Sequence, residues 1–244
     1  MPVLALDTSA SVTVAVVADD GARLARRDAP ERRRHAEALA PLVEEALAEA
    51  GVDRRDLTAV AVGTGPAPFT GLRVGLVTAR ALGFALGVPV LGVPSLDAVA
   101  AQAVSDLGLE PDDEVLVATD ARRREVYWAR YRVVAHEGPH AVPVLETVAG
   151  PDVGPAGAAA GHAAGAVVVG EGAELYPDVL DAVDDAPLVP DAAVLARLAV
   201  ARWEAGADQP TEPLYLRRPD VHEAAARKRA SDGGAVPVEA ERAR

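Results

Sequence analysis

The chain has no cysteine. That removes disulfides, thiolate metal sites and cysteine nucleophiles together, and it suits a reducing cytoplasm. Lysine is nearly absent as well, Lys228 being the only one. A Walker phosphate loop, which needs a lysine beside its last glycine, is therefore excluded from the glycine-rich stretches. No run reaches about 18 uninterrupted apolar residues, so no membrane span is expected. The first residues lack a basic segment and Asp7 interrupts their apolar run, which does not fit a secretory signal. Positive charge is short overall: the net charge is −13, which argues against binding nucleic acid by bulk electrostatics alone.

What is present suffices for a substantial core. The 244 residues are 50% hydrophobic, room for one large domain or two modest lobes. Arginine clusters stand at residues 32–34, 122–124 and 217–229. In a chain so rich in arginine and alanine, each reads first as a solvated charged face.

The stretch from Val60 to Pro94 organises the rest. Val60–Val62 reads as a buried strand, and Gly63, Gly65, Pro66 and Pro68 force a tight loop after it. Thr70 reads as an N-cap. Leu72, Gly75, Leu76, Ala79, Leu82, Gly83 and Leu86 then recur at helical spacing up to Gly87. Gly71, Gly75, Ala79 and Gly83 form a stripe of small residues along this helix, open to close approach by another helix. A glycine loop before a helix is also suited to phosphate, although the spacing fits neither the Walker nor the dinucleotide pattern.

Before this unit, three antiparallel strands lead into an amphipathic helix from His35, with Leu39, Leu42, Val43, Ala46 and Leu47 on one face and Pro41 near its first turn. After it come a strand at 90–93 and a helix capped by Ser95. The order β-β-β-α-β-α-β-α predicts a mixed sheet with helices on its faces. A break near Gly108–Asp112 divides the chain into a first lobe (1–107) and a second (108–218) whose final helix packs back towards the first. Residues 219–244 read as a disordered tail. The second lobe opens like the first, with a hairpin built on an acidic turn, Asp7 echoed by Asp120. Residues 150–165 are rich in glycine, alanine and proline and give no clear assignment.

Motifs of chemistry are few. His136-Glu137-Gly138-Pro139-His140 matches a zinc-protease pattern, but Gly138-Pro139 breaks the helix that pattern requires. His35 stands alone. Asp7-Thr8-Ser9 and Asp120-Ala121-Arg122 fit either turns satisfying local N–H groups or a magnesium-positioning aspartate facing a cleft.

Several stretches together resemble the bacterial TsaB (YeaZ) family. They are Leu4–Ser9, Arg34–Leu42, Gly63–Arg73, Asp120–Ala129 and Pro213–Arg217. The resemblance implies an α/β actin-like ATPase (RNase H-like) fold of two duplicated lobes, with mixed sheets flanked by helices. It also implies a part in making threonylcarbamoyladenosine in tRNAs that read codons starting with A. There the family looks like a non-catalytic partner of the transferase TsaD, joined by TsaE and meeting tRNA only within the complex. Alone it would pair with itself. A catalytic relative's metal-binding histidines correspond to Ser95 and Val99, so any ATP or metal is expected on the partner subunits and no catalytic residue here. Where the family loop reads Gly-Ser, this chain has Ala67-Pro68.

On this reading the partner contact is His35, Leu39, Leu42, Val43, Leu72, Gly75, Leu76 and Ala79. A vestigial nucleotide cleft is placed at Asp7, Thr8, Ser9, Gly65, Thr70, Gly71 and Asp120. The competing expectation is a working metallopeptidase or ATP-dependent enzyme built on Asp7 and the Gly63–Gly71 loop.

Overall fold

A computed structural model describes residues 2–29 and 35–217. The expected disordered tail, the cluster at 32–34 and most of the cluster at 217–229 lie outside the described residues.

Three short runs of valine, leucine and alanine open the chain: β1 (Val3–Asp7), β2 (Thr13–Val17) and β3 (Arg23–Asp28). Every residue of β1 and β2 is buried, because both faces of this sheet are covered. α1 (His35–Ala50) follows as one helix despite Pro41, whose position is exposed. Next come β4 (Ala59–Gly63), α2 (Phe69–Leu86), β5 (Val90–Val93) and α3 (Ser95–Leu107). The strands order β3-β2-β1-β4-β5, with β1 antiparallel to β2 and parallel to β4.

The second lobe holds β6 (Glu114–Asp120), β7 (Glu125–Ala135), β8 (Val144–Pro155), α4 (Ala156–Ala160), β9 (Val167–Val169) and α5 (Glu171–Leu175). Its sheet runs β8-β7-β6-β9, again antiparallel to the second strand and parallel to the fourth. The first four strands of each lobe therefore share one topology, and Asp7 and Asp120 end equivalent strands. The segment that gave no assignment, 150–165, closes β8 and forms α4.

α6 (Ala192–Glu204) is capped by Asp191, which accepts from Ala193 N at 2.6 Å. It packs on the first sheet, Leu195 and Leu198 meeting Val3, Ala5 and Leu91. α1 and α2 cover that sheet's opposite face. α3 lies between the lobes, contributing Ala98 and Ala101 to the first-lobe core, and Leu96, Val99 and Val104 to the second. Tyr131 on β7 donates to Asp97 at 2.8 Å, and Arg202 of α6 reaches the same carboxylate at 2.7 Å.

α2 is long and apolar enough by composition to cross a membrane. Here it lies on the sheet, with Leu72, Leu76, Ala79 and Gly83 inward. Its first residue is Phe69 after Pro68, not a helix capped by Thr70, which falls inside the first turn. Proline fits this N-cap place, where the backbone is extended with φ −57° and ψ 135° and its missing N–H removes no helical hydrogen bond. Likewise Pro94 precedes α3, and Ser95 turns its hydroxyl to another use.

Candidate functional site

Asp7 ends β1 fully buried. Ser95 Oγ donates to its Oδ2 at 2.5 Å, while Ser9 N and Oγ donate to Oδ1 at 2.7 and 2.6 Å. Gly65 N donates to Ser95 Oγ at 3.2 Å, and Ser95 N donates to the Gly65 carbonyl at 2.7 Å. The first residue of α3 thus ties together the ends of β1 and β4. Gly63 has to be glycine for this, since a methyl there would fall 1.7 Å from Asp7 Oδ2.

Beside it, Thr8 Oγ1 donates to the Gly71 carbonyl at 2.9 Å and accepts from Gly75 N at 3.1 Å. A strand-end hydroxyl therefore bridges one turn of α2 and pins the helix to the sheet. Asp120 Oδ1 accepts from Arg122 N at 2.7 Å, and the Arg122 guanidinium lies 3.1 Å from Oδ2.

These groups bring the expected cleft residues Asp7, Thr8, Ser9, Gly65, Gly71 and Asp120 close to one junction, with Thr70 exposed at the helix start. The space they leave is small. The cavity between Ser9, Pro66, Ser95, Thr119, Asp120 and Glu171 measures about 20 Å³. That is room for a single water, whereas pockets for nucleotide-sized ligands run to several hundred Å³. The expected cleft residues form a closed joint, held by the hydrogen bonds among Asp7, Ser9, Gly65 and Ser95.

A wider cavity of about 270 Å³ opens on the other side of the loop, lined by Phe69, Arg122, Arg123, Tyr127, Tyr215 and Arg217 among others. The segment after α6 forms its outer wall. It crosses the free edge of β5, where Gly92 N donates to the Gln209 carbonyl at 3.1 Å, and then β4, where Leu214 N donates to Thr64 O at 2.8 Å. Arg80 of α2 holds Thr211, and Arg73 donates to the Tyr215 hydroxyl at 2.9 Å. Tyr215 stacks on Phe69 with centroids 4.9 Å apart, and the Arg73 guanidinium sits 3.4 Å over the Phe69 ring. Arg217 donates to Ala121 O at 3.0 Å and pairs with Glu125, joining the strap to the second lobe. Burial, and secondarily Asp120, pushes the Tyr127 phenol above its ordinary pKa. Guanidinium groups beside flat rings suit a carboxylate or phosphate next to a ring, though Asp120 and Glu125 already answer part of that charge.

The expected partner contact needs correcting. Leu39, Val43, Leu72, Gly75, Leu76 and Ala79 are buried in the first lobe's own core, and Leu42 is half-buried against it. They face the sheet, so they offer no surface to another chain. Of His35, only its place at the start of α1 is described. Gly75 is small because Thr8 approaches it: a methyl would lie 2.5 Å from that hydroxyl. The small stripe accommodates the chain's own strand end, not a partner helix.

The exposed side of α2 carries a second stripe at helical spacing: Phe69, Arg73, Val77 and Phe84, with Val77 64% and Phe84 93% exposed. Sequence reasoning missed it because the inward apolar face accounted for the helix by itself. The signal was there in a helix apolar on two sides. Also missed was Ser95 as the partner of Asp7. Nothing in either segment's own sequence links residues 88 positions apart.

The histidine pattern disperses. Pro139–Ala141 forms one tight turn, the His136 ring meets the Leu109 carbonyl at 2.7 Å, and the His140 ring meets Glu204 at 2.7 Å. Val99 is buried in the second-lobe core.

Two lobes with the same sheet order, joined by a helix between them and with an aspartate ending the first strand of each, define a protein of the actin-like ATPase fold. A family model described as TsaD, tRNA N6-adenosine threonylcarbamoyltransferase, matches residues 29–152. An uncharacterised protein of Mycobacterium tuberculosis is 45% identical over 222 residues, 90% of this chain and 93% of its own length. The tRNA threonylcarbamoyladenosine biosynthesis protein TsaB of Escherichia coli is 35% identical over 132 residues, covering 54% of this chain and 55% of that protein. The solved structure of YeaZ from Pseudomonas aeruginosa superposes with a TM-score of 0.70 and 30% identity, over 88% of this chain and 100% of that one. The chain belongs to the TsaB (YeaZ) family of tRNA threonylcarbamoyladenosine biosynthesis proteins.

Proposed function

We propose that this chain is a non-catalytic scaffold subunit that docks on a TsaD-type transferase through the outer face of α2. TsaE joins the pair, and the complex transfers a threonylcarbamoyl group to the adenosine next to the anticodon in tRNAs reading codons that start with A. ATP and metal are held by the partners, tRNA is met only in the complex, and the setting is the bacterial cytoplasm. Without TsaD, the same face pairs two copies of the chain.

The observation that carries this reading is the outer stripe of α2, where Val77 and Phe84 stand in solvent on an otherwise well-packed lobe. Burying two such side chains yields about 3–6 kcal/mol gross, of which association consumes a large part. The arginines of the same face, Arg73 and Arg80, are already tied to the strap, so this surface is pre-ordered. The 20 Å³ joint at Asp7 supports assigning the chemistry to another subunit.

Light scattering on a sizing column, with the chain alone and mixed with TsaD of the same organism, tests this. The expected change is from homodimer to a one-to-one heterodimer that Phe84→Glu abolishes. A complex that forms equally well with Phe84→Glu removes α2 from the contact. No complex with folded TsaD removes the scaffold role.

A further inference from the structure

Several surface carboxylates among the described residues face an arginine. Glu45 and Glu49 pair with Arg27, Glu114 with Arg130 and Arg132, and Glu125 with Arg217. One region gathers exposed carboxylates without such partners. From Val133 to Ala196 the sequence has no lysine or arginine at all. Within it, Glu174, Asp178, Asp181, Asp184 and Asp185 are exposed and make no ion pair or hydrogen bond through their carboxylates among the described residues.

Four of these surround a groove beside β9, the last strand of the second sheet, where Ala182 bridges to Val168. After α5 the chain doubles back, with Val183 N donating to Val168 O at 3.2 Å and Glu171 N donating to Leu188 O at 2.9 Å. The space enclosed is about 670 Å³. Its apolar lining includes the buried Ala173 and Leu180 with Val183, and the exposed carboxylates of its lining are Glu174, Asp181, Asp184 and Asp185. Leu175, Val179 and Val183 stand 38–49% exposed in the same stretch.

We propose that this groove docks a segment of a partner protein in which arginines or lysines flank an aliphatic anchor. Like carboxylates gathered without a countercharge repel one another, and a cationic partner relieves that repulsion. The apolar lining gives the anchor a place that a purely charged ligand would leave empty. The same carboxylates repel a phosphate backbone, so the occupant is protein and not RNA. The groove belongs to the second lobe and α2 to the first, so this contact is separate from the proposed TsaD contact and does not rest on it.

The test uses the full chain and a labelled twelve-residue peptide of alternating arginine and leucine, followed by fluorescence anisotropy. Saturable binding is expected, weakened about tenfold or more by Asp181→Asn/Asp184→Asn/Asp185→Asn. It is expected to change less than about twofold with Glu44→Gln/Glu45→Gln/Glu49→Gln, which removes the same charge from α1. Val183→Arg, on an exposed position, places a competing cation in the apolar lining and should also weaken binding about tenfold. Equal losses in the two triple variants would mean bulk charge alone and overturn the proposal. So would full affinity in Val183→Arg, or no saturable binding by the unaltered chain.

Discussion

Ser95 Oγ donates a 2.5 Å hydrogen bond to Asp7 Oδ2, linking the start of α3 to the end of β1 in a site with no solvent exposure at the carboxylate. Just past the end of β1, Ser9 faces Thr119, Asp120 and Glu171 of the second lobe across a small space. Here that space is closed by the donor itself. Ser95→Ala leaves a buried carboxylate short of one donor and should cost about 1.5–3 kcal/mol, the range for a hydrogen bond to a charged group. Urea denaturation measures it; a loss under about 0.5 kcal/mol would show that the bond contributes little. Gly63→Ala, which places a methyl on the same carboxylate, should be worse than Ser95→Ala.

The closed joint also predicts how the isolated chain meets nucleotides. With about 20 Å³ at the junction, ATP with magnesium should leave the melting temperature unchanged within about 1 °C. A dose-dependent rise of several degrees would reopen the reading as a nucleotide-using enzyme.

The two faces of α2 should separate stability from binding. Phe84→Glu, at 93% exposure, should change stability by no more than about 0.5 kcal/mol while eliminating self-association and TsaD binding. Leu76→Ala, at 3% exposure, should cost about 2–5 kcal/mol and leave the surface intact. Chemical denaturation paired with light scattering distinguishes the two. A Phe84→Glu variant that unfolds as readily as Leu76→Ala would contradict the assignment of faces.

Tyr131 gives a pH signature. Its phenol lies well above the ordinary 10.0, chiefly because it is buried and also because it faces and donates to Asp97. The folded value is raised, so its contribution is complete below about pH 10. It is lost as pH climbs from there through the folded value, because the unfolded chain releases the proton first. Tyr131→Phe should therefore be less stable than the unaltered chain by about 1 kcal/mol near pH 8. The gap should narrow steadily above about pH 10. Parallel denaturation curves at several pH values would show it, and a constant gap would exclude this linkage.

The strap from Gln209 to Arg217 joins β5 through Gln209, α2 through Thr211 and Tyr215, and the second lobe through Arg217. Tyr215→Ala removes the ring stacked on Phe69 and should cost about 0.5–1.5 kcal/mol beyond the area lost. Hydrogen exchange at Leu214 N, bonded to Thr64 O, should rise in that variant. Unchanged protection there would mean that the strap is held without its aromatic contact.

The sequence by itself determined the order of strands and helices in the first lobe, the hairpin that opens the second and the echo of Asp7 in Asp120. Apolar periodicity, glycine stops and strand-ending aspartates act within a few residues, where chain geometry alone enforces them. The stretches quoted for the family resemblance likewise sufficed to place the chain in its family. Only tertiary structure decided which side of α2 meets the sheet, because that helix is apolar on two sides and periodicity cannot rank them. The stripe of Gly71, Gly75 and Ala79 was legible, but its reason, Thr8 lodged against the helix turn, comes from a strand end 67 residues away from Gly75. Ser95 closing on Asp7, Tyr215 lying over Phe69 and unpaired carboxylates gathering at a sheet edge are contacts between distant segments. Each arises from packing two lobes against α3 and folding the last segment back over them, which no local pattern encodes.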